Sequence, residues 1–355
     1  MNQTPFYDPI LSYEDNYQRG PFGAFAADSK LEMPVLKSAA FFGHTVNSRL
    51  GIPAGPLLNS RYIDAAFRYG FDLCVYKTVR SQEHKSHPLP NVLAIHPRGK
   101  LSAGIDTVLA DTHYDAPLSI TNSFGVPSFK PDIWQPDMQQ AVQAAGQGQL
   151  LIGSFQGTPG KSSIEADYAL TARLVDETDA PILEANLSCP NEGVSKLLCF
   201  DFDKVERIAN SIKNAVPNKP LIMKLAYFSD PQLLTQLLKK VGHVIDGFST
   251  INTLSARPVN QQGLPALGAN RPEGGVCGDA IRWAGLEMVT HLAQLRAEMS
   301  LNFTIIGVGG ISHIDHYQQF LAAGADAVMS ATGAMWNPLL ALEIKQSLAK
   351  STMEE

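Results

Sequence analysis

Residues 220–241, "PLIMKLAYFSDPQLLTQLLKKV", hold one complete strand–loop–helix unit. The apolar run Pro220–Ala226 has the length of a buried strand and carries a single lysine, Lys224, near its end. Asp230 and Pro231 then open a helix: the aspartate serves as N-cap, and the proline sits at the first helical position, where its missing N–H is not needed. Seven other segments read as strands of the same kind: "GIPAGP" (51–56), "LCVYKTV" (73–79), "LLIGSF" (150–155), "ILEANLS" (182–188), "GFSTINT" (247–253), "FTIIGVGG" (303–310) and "DAVMSAT" (326–332). Helical patterns lie between them. Val205, Ile208, Ala209 and Ile212 mark one face; Ser162 and Glu165 form a capping box before Tyr168, Thr171 and Val175; Gly324 closes the helix after the seventh strand.

Strands alternating with helices imply a parallel sheet, and eight such repeats without a boundary linker favour a (β/α)8 TIM barrel with its active site at the C-terminal strand ends. A doubly wound open sheet is the competing topology. A ninth apolar segment, "LSITNSFGVP" (118–127), is not counted as a barrel strand, because residues 80–117 show no helix to carry a parallel crossover. It belongs to a long insertion after strand two, on the catalytic side. Residues 1–45 are expected to be an N-terminal extension and residues 46–355 the barrel domain.

The composition narrows the function classes. A net charge of −6 over 355 residues argues against a nucleic-acid surface, and no apolar run is long enough to span a bilayer. The first twenty residues have neither a basic n-region nor an apolar h-region, so a cytoplasmic protein is expected. Cys74, Cys189, Cys199 and Cys277 lack metal-type spacing, so no metal site and no disulfide framework is expected.

Chemistry concentrates at the strand ends. They carry Ala54-Gly55, Lys77-Thr78, Asn186 to Asn191, Lys224, Asn252-Thr253, Gly309-Gly310 and Ala331-Thr332, and the insertion adds Asn122 and Ser123. A barrel mouth with two lysines and several asparagines is costly unless a polar ligand fills it. Asparagine offers donors and an acceptor together, which suits a ring alternating C=O and N–H. "GVGG" and "SATGA" at strands seven and eight suit a phosphate, and "RPEGGVCG" (271–278) reads as a second glycine-rich loop on that side.

In this order, "YKTVRSQEHKSHPLPN", "TNSFGVP", "EANLSCPN", "MKLAYFSD", "STINT", "GGVCG", "IIGVGGI" and "AGADAVMSATGAM" resemble the dihydroorotate dehydrogenases, FMN-dependent barrels of pyrimidine synthesis, from about Leu50 to Lys350. A cysteine at position 189 is similar to class 1, and "CFDFDKV" and "KLAYFSD" to class 1A, which implies a cytosolic homodimer passing electrons to fumarate. The resemblance implies that Cys189 is the base that deprotonates dihydroorotate. It places Lys77, Asn122, Asn186, Asn191, Asn252 and Thr253 on the substrate, with backbone at Phe124 and Gly125. It places FMN on Ala54, Gly55, Lys77, Thr78, Asn122, Asn186, Lys224, Cys277, Gly278, Gly309, Gly310, Ala331 and Thr332. The sequence departs from the family at Asn91, where an arginine is usual, and over Glu192–Leu198.

The chemistry explains the cysteine. Oxidising a ring C–C bond to C=C removes a proton from one carbon and a hydride from its neighbour, and a thiol with an ordinary pKa of about 8.5 suits the first task. Cys74 and Cys199 are read as structural. Two alternatives stand beside this reading: another FMN barrel oxidoreductase acting on a different dihydropyrimidine or on tRNA uridines, and a non-catalytic nucleotide-binding relative. An acidic chain disfavours the tRNA version, and an intact Cys189 with both lysines disfavours the binding module.

Overall fold

The computed structural model describes residues 4–102, 106–160, 162–188 and 197–353. Eight parallel strands close on themselves: β1 (Leu50–Ile52), β2 (Leu73–Val79), β3 (Leu150–Phe155), β4 (Ile182–Asn186), β5 (Leu221–Leu225), β6 (Gly247–Thr250), β7 (Thr304–Val308) and β8 (Ala327–Met329). They follow sequence order round the ring, and the pairing of Val328 with Leu50 joins β8 to β1. Closure excludes the open sheet. Every residue of β2 is buried, as expected of a strand covered on both faces.

The interior is packed by Leu73, Val75, Ile152, Ile182, Ile222 and Ile306, with Phe41 and Val46 contributed by a hairpin ahead of β1. Around the barrel lie α1 (Ser60–Arg68), α2 (Pro131–Gln143), α3 (Ile164–Asp176), α4 (Phe202–Ala215), α5 (Pro231–Val241), α6 (Arg282–Glu298), α7 (Ile314–Ala322) and α8 (Leu340–Met353). Asp230 caps α5 with Pro231 in its first turn, as the sequence indicates. The start of α3 differs from expectation by one residue: Ser163, not Ser162, accepts from the Ala166 N–H. With Ser163 as the cap, the third helical position is Ala166, whose methyl group cannot reach back, and Glu165 pairs with Arg207 of α4 at 2.9 Å.

The insertion after β2 contains no helix among its described residues before α2. Its strands Val92–His96, Asp106–Asp111 and Ser119–Asn122 join Leu254–Val259 and Gly274–Gly278, from between β6 and α6, in a closed five-stranded sheet. "RPEGGVCG" is therefore largely strand, not the glycine-rich loop expected. Its glycines answer to close packing: a Cβ on Gly274 would lie 2.4 Å from Thr121 Oγ1, and one on Gly275 2.7 Å from Thr253 Oγ1.

The N-terminal segment folds onto the barrel. Phe6 donates its N–H to Met335 O, and Phe6, Tyr7, Tyr13 and Phe25 share one core with the helices. A short helix, Tyr13–Arg19, is capped by Ser12. Buried Asn16 ties the preceding turn together, donating to the carbonyls of Asp8, Leu11 and Ser12.

Candidate active site

The C-terminal strand ends converge on one cavity. From β2 and β5 come Lys77, Thr78 and Lys224; from β4, Asn186; from the loops after β1 and β6, Ala54, Gly55, Asn252 and Thr253; after β8, Ala331 and Thr332. The insertion adds Asn122 and Phe124, and the small sheet adds Cys277. Gly125, Gly278, Gly309 and Gly310 do not line it. Gly310 is set by packing and conformation instead: its φ is +72°, and a Cβ would stand 2.7 Å from that of Arg282. Cys189 and Asn191 lie outside the described residues.

Lys224 decides the character of the site. It is 3% exposed and makes no hydrogen bond or ion pair with a described residue. The register sets it beside Asn186 on one side and Ser249 on the other. Lys77, also buried, donates to the carbonyls of Thr78 and Pro127 at 3.3 and 3.4 Å. Among the described lining residues there are two lysines and no carboxylate. An acidic protein thus builds an electropositive cavity, which an anionic ligand would complete.

The asparagines are held in a network. Asn186 Nδ2 donates to Gln156 Oε1 at 2.9 Å, and its Oδ1 accepts from the Ser188 N–H at 3.2 Å. Asn252 Nδ2 donates to Ser188 O at 3.0 Å, and Tyr168 donates to the Asn186 carbonyl at 2.6 Å. Asn122 donates to Cys277 Sγ at 3.1 Å. These bonds fix which way each amide faces, which a ligand with alternating donors and acceptors requires. Gln156, Ser188 and Tyr168 are absent from the sequence-based set. Gln156 was legible as the polar residue that follows β3; Tyr168 looked like an ordinary core position on a helix face.

Burial pushes the Cys277 thiol up to about 11, against the opposing influence of Lys224 and the Asn122 bond. Its thiolate is therefore harder to form than that of an ordinary cysteine. Cys199 is pushed up to about 12 by burial, and burial also raises the Cys74 thiol well above its ordinary value. His84 and His87, behind the Phe124 loop, are both lowered, chiefly by burial, so both are uncharged at neutral pH.

Asn91, where the sequence departs from the family, braces that loop. Its Nδ2 donates to His87 O, Pro88 O and Ser123 O, the last at 3.1 Å. Arg271 reaches the same place, with Nη1 donating to Pro90 O and Ser123 O, each at 3.2 Å. A guanidinium thus serves this loop from a different part of the chain.

A planar polar heterocycle suits the described lining, with its amide and ammonium donors. At Gly55, φ is +139° and an added Cβ would meet nothing within 4 Å, so the glycine leaves room at the mouth. Thr253 Oγ1 is buried without a partner among described residues.

Comparison with known proteins agrees with the geometry. A family model described as dihydroorotate dehydrogenase matches residues 37–352. The chain is 35% identical over 356 residues to a dihydroorotate dehydrogenase of Dictyostelium discoideum, covering 96% of each. It is 32% identical over 190 residues to the catalytic subunit of dihydroorotate dehydrogenase B (NAD(+)) of Oceanobacillus iheyensis, 53% of this chain and 59% of that one. The crystal structure of DHODH from Eimeria tenella in complex with ferulenol superposes with a TM-score of 0.76 at 17% identity, over 93% of this chain and 88% of that one, a likeness of fold.

Proposed function

The chain belongs to the dihydroorotate dehydrogenase family, and from that premise we propose that it oxidises (S)-dihydroorotate to orotate with FMN in de novo pyrimidine (UMP) biosynthesis. The observation that carries this reading is Lys224: a buried ammonium with no partner among described residues, in a cavity without a described carboxylate. The substrate is an anion whose ring alternates C=O and N–H, which matches both the charge and the oriented asparagines.

FMN, when bound, supplies the hydride acceptor. Ala54, Gly55, Thr78, Lys224, Cys277, Ala331 and Thr332 would hold it, with Lys77, Asn122 and Asn186 shared with the substrate. Gly278, Gly309 and Gly310 would form the close-packed loops behind its phosphate. Lys224 would place its ammonium where it favours negative charge on the bound group. Asn122, Asn186, Asn252 and Thr253 orient the pyrimidine, aided by Asn191 and by backbone at Phe124 and Gly125.

Cys189 is assigned as the general base. It follows Ser188, whose carbonyl and hydroxyl already accept from Asn252 at the cavity wall. The other three cysteines suit the role less well, because burial raises each thiol above the ordinary range and makes its thiolate harder to form. Fumarate is the proposed acceptor, in a cytoplasmic homodimer whose residues 1–45 extend a barrel domain of residues 46–355.

The test is an anaerobic titration of the purified protein with dihydroorotate, followed by visible absorbance. Yellow protein that bleaches, then recovers with fumarate, is expected. Colourless protein that cannot be reconstituted with FMN overturns the reading. Recovery with a quinone or NAD but not fumarate overturns the acceptor alone.

A further inference from the structure

The cavity has a wall that the strand ends do not supply. Tyr7 and Tyr13, from the N-terminal segment, line it opposite the barrel. That segment is fastened to the start of α1: Tyr62 donates to Asn16 O at 2.9 Å and Asn59 Nδ2 to Tyr17 O at 2.8 Å.

Tyr13 touches two parts of the machinery at once. Lys77 Nζ lies 5.9 Å from the centroid of its ring. Its ring also meets Phe124 at 6.4 Å, near edge-to-face, and stacks on Phe129 at 6.2 Å. Phe124 and Phe129 bracket the turn whose Pro127 carbonyl accepts from Lys77. The ring therefore lies across the substrate loop and against the lysine that faces it.

We propose that Tyr13 is a positioning residue for the reaction, its ring steadying the Lys77 ammonium and fixing Phe124, so that the N-terminal segment is a working part of the active site. The proposal rests on the reading of the cavity as a dihydroorotate and FMN site. The choice of an aromatic ring has a physical reason. A carboxylate beside Lys77 would hold it more firmly but would cancel the charge that attracts an anionic ligand. A ring face offers only a quadrupole, which orients the ammonium and leaves its charge available. The phenol adds no charge of its own, since burial raises its pKa above the ordinary tyrosine value.

Three variants of the flavin-loaded protein test this: Tyr13→Phe, which keeps the ring; Tyr13→Leu, which removes it; and Tyr17→Leu. Tyr17 packs on Phe129 at 4.4 Å and on Tyr13 at 6.3 Å but does not line the cavity, so its loss loosens the packing behind Tyr13 and leaves the ring beside Lys77 in place. Orotate affinity is read from the perturbation of the flavin spectrum. Tyr13→Leu is expected to weaken orotate about 3–30-fold, the range of a partly desolvated cation–π contact. Tyr13→Phe and Tyr17→Leu should stay within about twofold of the parent on the same scale. Unchanged affinity in Tyr13→Leu overturns the proposal. So does an equal loss in Tyr13→Phe, which would assign the effect to the hydroxyl, or in Tyr17→Leu, which would assign it to general loosening. A flavin-loaded parent that does not bind orotate strikes the functional reading instead.

Discussion

The two ends of the barrel use the same residue types in opposite ways. At the N-terminal strand ends, Asp72, Asp246 and Asp326 stand immediately before β2, β6 and β8, and each meets a helix cation: Lys345, Lys213 and Arg296. Asp246 and Asp326 also accept the N–H of Leu221 and Ile305, at the starts of β5 and β7, both at 2.8 Å. Lys345 and Asp72 are 3% and 1% exposed and 2.6 Å apart. At the C-terminal ends Lys224, no more exposed, has no counter-ion among described residues. Charge at the bottom is paired within the fold; charge at the top is, on the proposed reading, there for the substrate and cofactor. Changes at the top should therefore damage chemistry or binding, and changes at the bottom stability.

The largest effect expected is at Cys189. Cys189→Ser should slow flavin bleaching by dihydroorotate about 10²–10⁴-fold, the usual contribution of a positioned acid–base group, while the denaturation midpoint stays put. Stopped-flow across a pH series measures it, and the deficit should shrink at high pH. A variant that bleaches as fast as the parent at every pH places the base elsewhere. Next comes the floor. Lys345→Met leaves Asp72 buried without its cation, which should cost about 3–5 kcal/mol in chemical denaturation. Orotate affinity of the folded, flavin-loaded variant should be unchanged. Loss of affinity without loss of stability would reverse the assignment of the two ends.

Lys224→Met makes the matching change at the top. Removing an ammonium with no counter-ion among the described residues should leave the stability of the flavin-free protein unchanged or slightly raised. FMN affinity should fall about 10–100-fold, the range for a hydrogen bond to a charged group. Fluorescence titration with FMN and a denaturation curve give both numbers. A destabilisation like that of Lys345→Met would mean that Lys224 already has a structural partner.

The sequence shows the barrel more fully than its accessories. β2 and β3 begin and end where the apolar runs do. "GIPAGP" and "GFSTINT" ran past their strands, because β1 stops at Ile52 and β6 at Thr250. Beyond those points the backbone leaves the ladder to present Ala54, Gly55, Asn252 and Thr253 to the cavity. The small sheet was not foreseen beyond its one apolar segment. Asp106–Asp111 is half polar, and three of the five residues of Gly274–Gly278 are glycine; both are fixed by partners distant in sequence. The place of Tyr7 and Tyr13 is likewise tertiary: their spacing has no helical period that points to Lys77 or Phe124.

The smallest effect concerns the wall itself. Tyr7 is 2% exposed, yet its hydroxyl has no hydrogen-bond partner among the described residues. Other buried tyrosines differ: Tyr76 donates to Asp137 at 2.6 Å and Tyr62 to Asn16 O at 2.9 Å. An unmade bond at a buried hydroxyl costs about 1–3 kcal/mol, part of which the removal of the oxygen recovers. Tyr7→Phe keeps the ring and its edge-to-face contact with Phe124 at 5.9 Å, and opens a gap of only one atom. A net gain of about 0.5–1 kcal/mol is expected, or about 1–3 °C in melting temperature. Tyr76→Phe should move the other way by about 1–3 kcal/mol, since it removes a charge-assisted hydrogen bond to the half-buried Asp137 carboxylate and leaves it the bonds from Ser60. Parallel melts of the two variants decide the matter. If Tyr7→Phe is destabilised as much as Tyr76→Phe, the Tyr7 hydroxyl is as fully bonded as that of a tyrosine packed between strand and helix, and the contrast between the two ends stops at Lys224.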